Sequence, residues 1–356
     1  MKLGLGLYRH MLDRRHFDFA KQCGCTHLVV HLVDYFNKGN QGNRNNQPIG
    51  DDGGWGIAGD AKNLWTAQEL IALKKEINDA GLELEAIENF DPAHWYDILL
   101  DGPRKAQQAE GLKEMIRNVG KAGIPIIGYN FSLAGVSSRI TGPFARGNAV
   151  SVGMNGVDDR PIPNGMVWNM IYDENAPTGH LPEISSGELW NRLQYFLDEL
   201  IPVAEEAGVR LAAHPDDPPM PLIRRTPRLV YQPQLYRRLL DMRPSRANTL
   251  EFCLGSIAEM TEGDIYAATR EFARDIAYVH FRNVKGKVPH YKEVFLDEGD
   301  IDMIAVLKIL QASQFDGVLI PDHTPQMNCE GPWYAGMAYA LGYMKACLNM
   351  LSTTGS

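Results

Sequence analysis

Short apolar runs that end on a polar residue alternate along this chain with longer stretches whose apolar positions fall three and four apart. These are the signatures of buried strands and amphipathic helices. Lys2 to Tyr8 predicts a first strand, and Asp13 to Cys23 a helix closed by Gly24. Thr26 to Leu32 predicts a second strand ending near His31; Leu82 to Glu88 a third, after a helix over Thr66 to Ala80; and Ile124 to Phe131 a fourth, after a helix over Arg104 to Lys121. Ser186 opens a helix with Glu188 in its first turn, which runs to Ala207 and leaves through Gly208 into a fifth strand ending at His214. Asn248 to Cys253, Ile276 to Arg282 and Gly317 to Pro321 supply the remaining strands. Leu235 to Asp241, Asp264 to Arg274, Asp300 to Ser313 and Ala335 to Leu351 supply the remaining helices. Eight strands alternating with helices predict an α/β fold, a (β/α)8 TIM barrel. A doubly wound sheet would need a G-x-G-x-x-G turn after the first strand, and Gly4-Leu5-Gly6 lies inside that strand instead.

Two stretches break the rhythm. Residues 36–60 are rich in Gly, Asn and Asp, and residues 132–185 carry many Gly, Pro, Asn and Asp with little periodicity. Both read as long loop insertions, the second over one end of the barrel, and loops of that size tend to be lids or binding loops. The expectation is one barrel domain over residues 1–356 with these two insertions. Trp55 and Trp168 within them suit either a lid or a subunit contact in a homo-oligomer.

Strand ends carry the chemistry of such barrels. The fifth strand runs into His214-Pro-Asp-Asp-Pro-Pro, where prolines at 215, 218 and 219 stop the ladder and leave His214, Asp216 and Asp217 projecting. The sixth, seventh and eighth strands finish on Cys253, His280 and Asp322, so that four metal-ligating residue types would face one another across the C-terminal mouth. Two imidazoles, a thiolate and a carboxylate suit a divalent transition ion; ligand type favours Zn2+ or Fe2+ over Mg2+ and allows Mn2+. Taken singly, each residue has a plainer explanation as core or loop cap, and the joint placement is what points to metal. Arg282, two residues beyond His280, shares its face and could grip a carboxylate. His323 could transfer protons at neutral pH. Tyr334, in Gly-Pro-Trp-Tyr, reads by itself as packing, and Lys285, Lys287, His290 and Lys292 as a solvated basic run.

Composition narrows the function classes. Apolar residues make up 44% and charged residues 22% of the 356 positions, as in globular proteins. The net charge of −9 argues against nucleic acid, because binding a polyanion rests on phosphate neutralisation. No segment approaches the roughly 20 apolar residues that span a bilayer, and the first ten residues carry no signal-type apolar run. A cytoplasmic location is expected. The five cysteines are irregularly spaced, so no disulfide framework is expected, and Cys23 and Cys25 read as small buried residues.

His-Pro-Asp-Asp-Pro-Pro at 214–219, Cys-Leu-Gly-Ser at 253–256, His-Phe-Arg-Asn at 280–283, Glu-Gly-Asp-Ile-Asp-Met at 298–303 and Pro-Asp-His at 321–323 resemble the D-mannonate dehydratase family. Tyr-Asn-Phe at 129–131, the helix end from Ile201 and Tyr334 resemble it too. The resemblance implies a xylose-isomerase-like barrel that binds Mn2+, or Fe2+ or another divalent transition metal, and converts D-mannonate to 2-keto-3-deoxy-D-gluconate and water. It implies His214, Cys253, His280 and Asp322 as metal ligands, His323 and Tyr334 as proton-transfer groups and Arg282 near the substrate. Asp216 and Asp217 beside the ligand, with Asn130, Glu88 and His31 at other strand ends, are the candidate substrate contacts. After Phe131 the family pattern carries a Pro-containing stretch and an Asp-Trp-Thr-Arg segment, where this chain has Ser-Leu-Ala-Gly-Val-Ser-Ser-Arg. Loops after strands set substrate choice on this fold, so another aldonic or uronic acid is an alternative substrate. A sugar isomerase or epimerase on the same barrel is a second alternative, although such relatives usually hold their metal with carboxylates. A silent sugar-acid binder is a third.

Overall fold

The computed structural model describes residues 1–37 and 54–353. Eight parallel strands close into a barrel in chain order: β1 (Lys2–Leu7), β2 (His27–Val30), β3 (Glu83–Glu88), β4 (Ile126–Tyr129), β5 (Arg210–Ala213), β6 (Asn248–Cys253), β7 (Ile276–His280) and β8 (Val318–Ile320). β1 closes the ring by pairing with both β2 and β8. One main helix follows each strand: α1 (Arg14–Gln22), α2 (Ala67–Asp79), α3 (Lys105–Lys121), α4 (Ser186–Ala207), α5 (Gln234–Met242), α6 (Ile265–Phe272), α7 (Met303–Ala312) and α8 (Pro332–Thr353). Capping boxes start two of them, Thr66 with Glu69 and Ser185 with Glu188, each satisfying N–H groups that a helix start leaves free. α4 ends on Gly208 in the left-handed conformation (φ 68°), which turns the chain directly into β5.

Two apolar layers hold the barrel. The larger lies between strands and helices; the smaller fills the interior with Val29, Ala86, Ile126, Ala212, Ala277, Val318 and Ile320 around Tyr278. Inward positions are kept small where strands converge: a Cβ on Gly4 would run into the side chain of Val318.

Strands end earlier than the apolar pattern predicts. The second was expected to reach Leu32 and the seventh Arg282, yet the ladders stop at Val30 and His280. One more backbone bond forms past each end, from His31 N–H to Leu7 and from Phe281 N–H to Ile320, before the chain leaves the sheet, while Phe281 stays fully buried. The larger correction concerns residues 132–185. Instead of an irregular insertion, they supply a hairpin, Ile140–Ala145 and Ala149–Asn155, that pairs antiparallel with His290–Val294 and through it with Asn283–Lys287. The basic run 285–292 is thereby part of a four-stranded sheet, with Lys285, Lys287, His290 and Lys292 on its exposed positions. Most of the other long loop, positions 38–53, lies outside the described residues. Cys25 is buried and Cys23 partly so, and no disulfide joins the described cysteines. No helix among the described residues is long and apolar enough to cross a membrane.

Candidate active site and metal centre

Residues at the C-terminal ends of the strands surround a cleft of about 550 Å3 that opens to solvent. His214, Cys253 and His280, just past β5 and at the last positions of β6 and β7, place their ligand atoms within 4.8 Å of one another. The order of β5, β6 and β7 around the barrel dictates this, because Cys253 stands directly opposite His280 in the ladder. The Nδ1–H of His214 donates to the Pro215 carbonyl at 2.6 Å, which leaves Nε2 free as a ligand atom. Burial alone would keep the Cys253 thiol protonated; the Arg282 guanidinium and the two imidazoles outweigh it and hold the group well below its usual range. Burial alone would lower the His214 pKa, but Cys253 and Glu251 raise it to about 9. The cluster is thus a thiolate against two imidazoles.

Asp322, past β8, sits on the other side of His280, with Oδ2 3.4 Å from Nδ1. Its φ of 59° is a left-handed conformation that a non-glycine residue adopts at a cost of about 1 kcal/mol, sustained by its surroundings. The Nδ1 of His280 is buried and accepts or donates no hydrogen bond among the described residues. A thiolate, two imidazoles with open nitrogens and an adjacent carboxylate fit a divalent transition ion. Glu88, Glu251 and His280 form a second triple with ligand atoms within 4.8 Å of one another, on the inward side of the same imidazole.

Of the expected substrate contacts, His31, Glu88, Asn130 and Asp217 line the cleft. Burial lowers the His31 pKa and outweighs the Glu88 charge, keeping that imidazole neutral. Burial would raise the Glu88 carboxyl, yet His31 and His280 hold it below its usual range. His323 also lines the cleft, between Glu293 (2.7 Å) and Asp322 (3.1 Å). Against the effect of burial, those two carboxylates raise its pKa to about 9.

Three expected contacts are placed otherwise. Asp216 is turned away: Oδ1 lies 2.7 Å from Arg228 Nε, and Oδ2 accepts from the backbone N–H groups of Leu229 and Val230, so its carboxylate ties down the following loop. Arg282 does not line the cleft. Its guanidinium, 1% exposed, is taken up at both terminal nitrogens by Glu259 (2.8 Å), Glu293 (2.9 Å), Asp217 (2.9 Å), Ser256 (3.0 Å) and the Cys253 sulfur (3.3 Å), and its Nε lies 3.5 Å from Asp322. Tyr334 is not brought to the cleft either. Its hydroxyl pairs with His16 Nε2 at 2.9 Å in the seam between α1 and α8.

Several cleft residues escape the sequence-based prediction, among them Tyr8, Arg139, Glu251 and Tyr35. Tyr8 at the end of β1 packs its ring 5.0 Å from His31, and burial keeps its hydroxyl protonated. Arg139, from the stretch where the chain departs from the family pattern, reaches 3.3 Å from Glu293. Glu251 lies two residues before Cys253, so it points the same way into the barrel, a period-two signal that was available in the sequence. Tyr35 joins Trp55 and Trp168 in an aromatic roof, and the Trp168 indole donates to the Asn130 carbonyl at 3.0 Å. Both tryptophans are buried within the chain.

Comparison with known proteins agrees with this geometry. The family model described as D-mannonate dehydratase (UxuA) matches residues 56–143 and 175–354. A mannonate dehydratase of Streptococcus pneumoniae is 34% identical over 278 residues, covering 73% of this chain and 74% of the relative. The crystal structure of mannonate dehydratase from Streptococcus suis superposes with a TM-score of 0.75 at 28% identity, over 99% of this chain and 95% of that one. A D-psicose 3-epimerase from Clostridium cellulolyticum shares the fold, at 13% identity and a TM-score of 0.54 over 98% of each chain.

Proposed function

Because the chain belongs to the D-mannonate dehydratase family, and is thereby a hydro-lyase, we propose that this cleft converts D-mannonate to 2-keto-3-deoxy-D-gluconate and water with a bound divalent transition metal, Mn2+ or Fe2+. The observation that carries the reading is the thiolate of Cys253 between the imidazoles of His214 and His280 at the mouth of the barrel. An ion held by His214, Cys253, His280 and Asp322 would supply positive charge beside the substrate oxygens where negative charge develops.

The protein groups divide the remaining work. Dehydration removes the C2 proton and the C3 hydroxyl; the resulting enol then takes a proton at C3 and becomes the 2-keto acid. One group must accept a proton and another must donate one to the departing hydroxyl. Two cleft histidines have their pKa values pushed in opposite directions, the arrangement that separates base from acid. His31, neutral through burial, suits the base. His323, kept protonated by Asp322 and Glu293, suits the acid. Arg139 takes over the carboxylate-gripping role expected of Arg282, since it is the arginine that faces the cleft. Arg282 instead maintains the Cys253 thiolate. Tyr35, Trp55 and Trp168 line one wall of the cleft and would shield the reacting carbons from water on that side.

The test is a panel of aldonic and uronic acids offered to the Mn2+-loaded protein. D-mannonate is expected to give the highest kcat/KM and a 2-keto-3-deoxy product. The reading fails if no acid of the panel loses water.

A further inference from the structure

Beneath the ligand cluster, the barrel holds a group of residues that the chemistry above does not use. The Nε2 of His280 is hydrogen-bonded to Glu88 Oε2 at 3.3 Å and lies 3.1 Å from Glu251 Oε1. The two carboxylates reach this nitrogen from β3 and from β6, the neighbour of β7, with β4 and β5 between them on the ring, and are 6% and 1% exposed. β4 makes room for them. A Cβ on Gly128 would strike the Glu251 carboxylate and the Tyr278 hydroxyl and press against Glu88. The Glu251 carboxyl is met by this nitrogen and by the Tyr278 hydroxyl. Two buried carboxyl groups converging on a single N–H repel each other when both are charged, so stability alone does not explain the arrangement.

We propose that Glu88 and Glu251 are positioning residues that fix His280 by its Nε2 edge, so that Nδ1, 3.4 Å from Asp322 Oδ2, is the nitrogen presented to the metal ion. A ligating imidazole is oriented and made more basic by a carboxylate on its other nitrogen, and loss of such a partner weakens metal binding about 10–100-fold. Gly128 belongs to the same device, since the pair cannot close on His280 if β4 carries a side chain there. The inference rests on the metal-dependent reading above.

The test uses full-length metal-depleted protein titrated with Co2+, whose absorption spectrum reports ligand geometry, together with the melting temperature of the metal-free form. Glu251→Gln is expected to weaken Co2+ binding at least 10-fold and to alter the spectrum. Its metal-free melting temperature should stay close to that of wild type, because the amide keeps the volume of the carboxyl and an oxygen that can accept from His280 or Tyr278. Glu88→Gln is expected to weaken Co2+ binding in the same way. Should Glu251→Gln not fold, Glu251→Asp, which withdraws the carboxylate by one methylene, is read identically. Co2+ affinity within twofold of wild type in both Gln variants would overturn the proposal. So would a loss of affinity that tracks a lowered melting temperature, or a second equivalent of Co2+ in wild type that disappears in Glu251→Gln, which would make Glu251 a ligand. Wild-type protein that binds no Co2+ would overturn the metal reading itself, an outcome distinct from equal binding by wild type and variants.

Discussion

Arg282→Leu tests the claim that this residue serves the site from behind rather than holding the substrate. The guanidinium donates to Glu259, Glu293 and Asp217 at 2.8–2.9 Å and is 1% exposed. Its removal leaves buried carboxylates without a counter-charge, which costs about 3–5 kcal/mol. At about 2 °C per kcal/mol for a chain of this length, the metal-free variant should melt roughly 6–10 °C lower at pH 8. The pH dependence adds a second, signed check. Burial raises the Asp217 carboxyl, but Arg139 and Arg282 outweigh it and hold it at about 2. Against an unfolded value near 3.9, this depressed pKa contributes about 2–3 kcal/mol above pH 4, lost as pH falls from about 4 to 2. Wild type therefore keeps this contribution at both pH 8 and pH 5. In Arg282→Leu, burial dominates, and Asp217 and Glu293 can regain protons between pH 8 and pH 5. The gap between variant and wild type should shrink on acidification, and Arg282→Lys should close part of it. Differential scanning calorimetry at both pH values, with chelator present, measures this. A gap under about 2 °C, or one that widens towards pH 5, would refute the reasoning.

Further outcomes follow from the cleft. Arg139→Ala should raise KM for the sugar acid about 10–100-fold, the worth of one charge-assisted contact, and lower kcat less; steady-state kinetics separate the two. His323→Asn should lower kcat about 100–10,000-fold while Co2+ still binds, as seen by titration. Metal affinity should fall as pH drops from 9 to 6, because His214, with its pKa raised to about 9, must lose its proton to become a ligand. Competition with a chelator of known affinity checks that slope. Asp216→Ala should destabilise the chain by about 3–5 kcal/mol, because Arg228 loses its buried partner, and leave the Co2+ spectrum unchanged.

The barrel was legible in the sequence because its strands are apolar on both faces and several helices leave through glycine. The ends of the fifth and sixth strands were legible for the same reason, and the seventh was carried two residues too far, yet the spacing was enough to bring His214, Cys253 and His280 together. The hairpin over residues 140–155 was not, because its strands contain Gly142, Pro143 and Gly153 and owe their order to partners such as Tyr291, far along the chain. Arg139 was hidden by the same stretch. Arg282 was expected to share the face of His280, and no pattern around it indicated that Glu259 and Glu293 would surround it. Asp216 and Asp217 are neighbours with opposite fates, one tying down a loop and one facing the cleft, a difference set by how the chain turns after β5. Glu251 was available through its two-residue spacing from Cys253, yet a lone acid inside an apolar strand draws no attention without its counterpart Glu88 across the ring.

The central claim is metal-dependent loss of water from a sugar acid at the His214, Cys253 and His280 cluster. Mass spectrometry of D-mannonate after incubation with the protein, metal-loaded and exhaustively chelated, tests it most directly. The account predicts a product lighter by one water with the loaded protein and unchanged substrate with the chelated one. A product of unchanged mass, or equal conversion by both preparations, would contradict it.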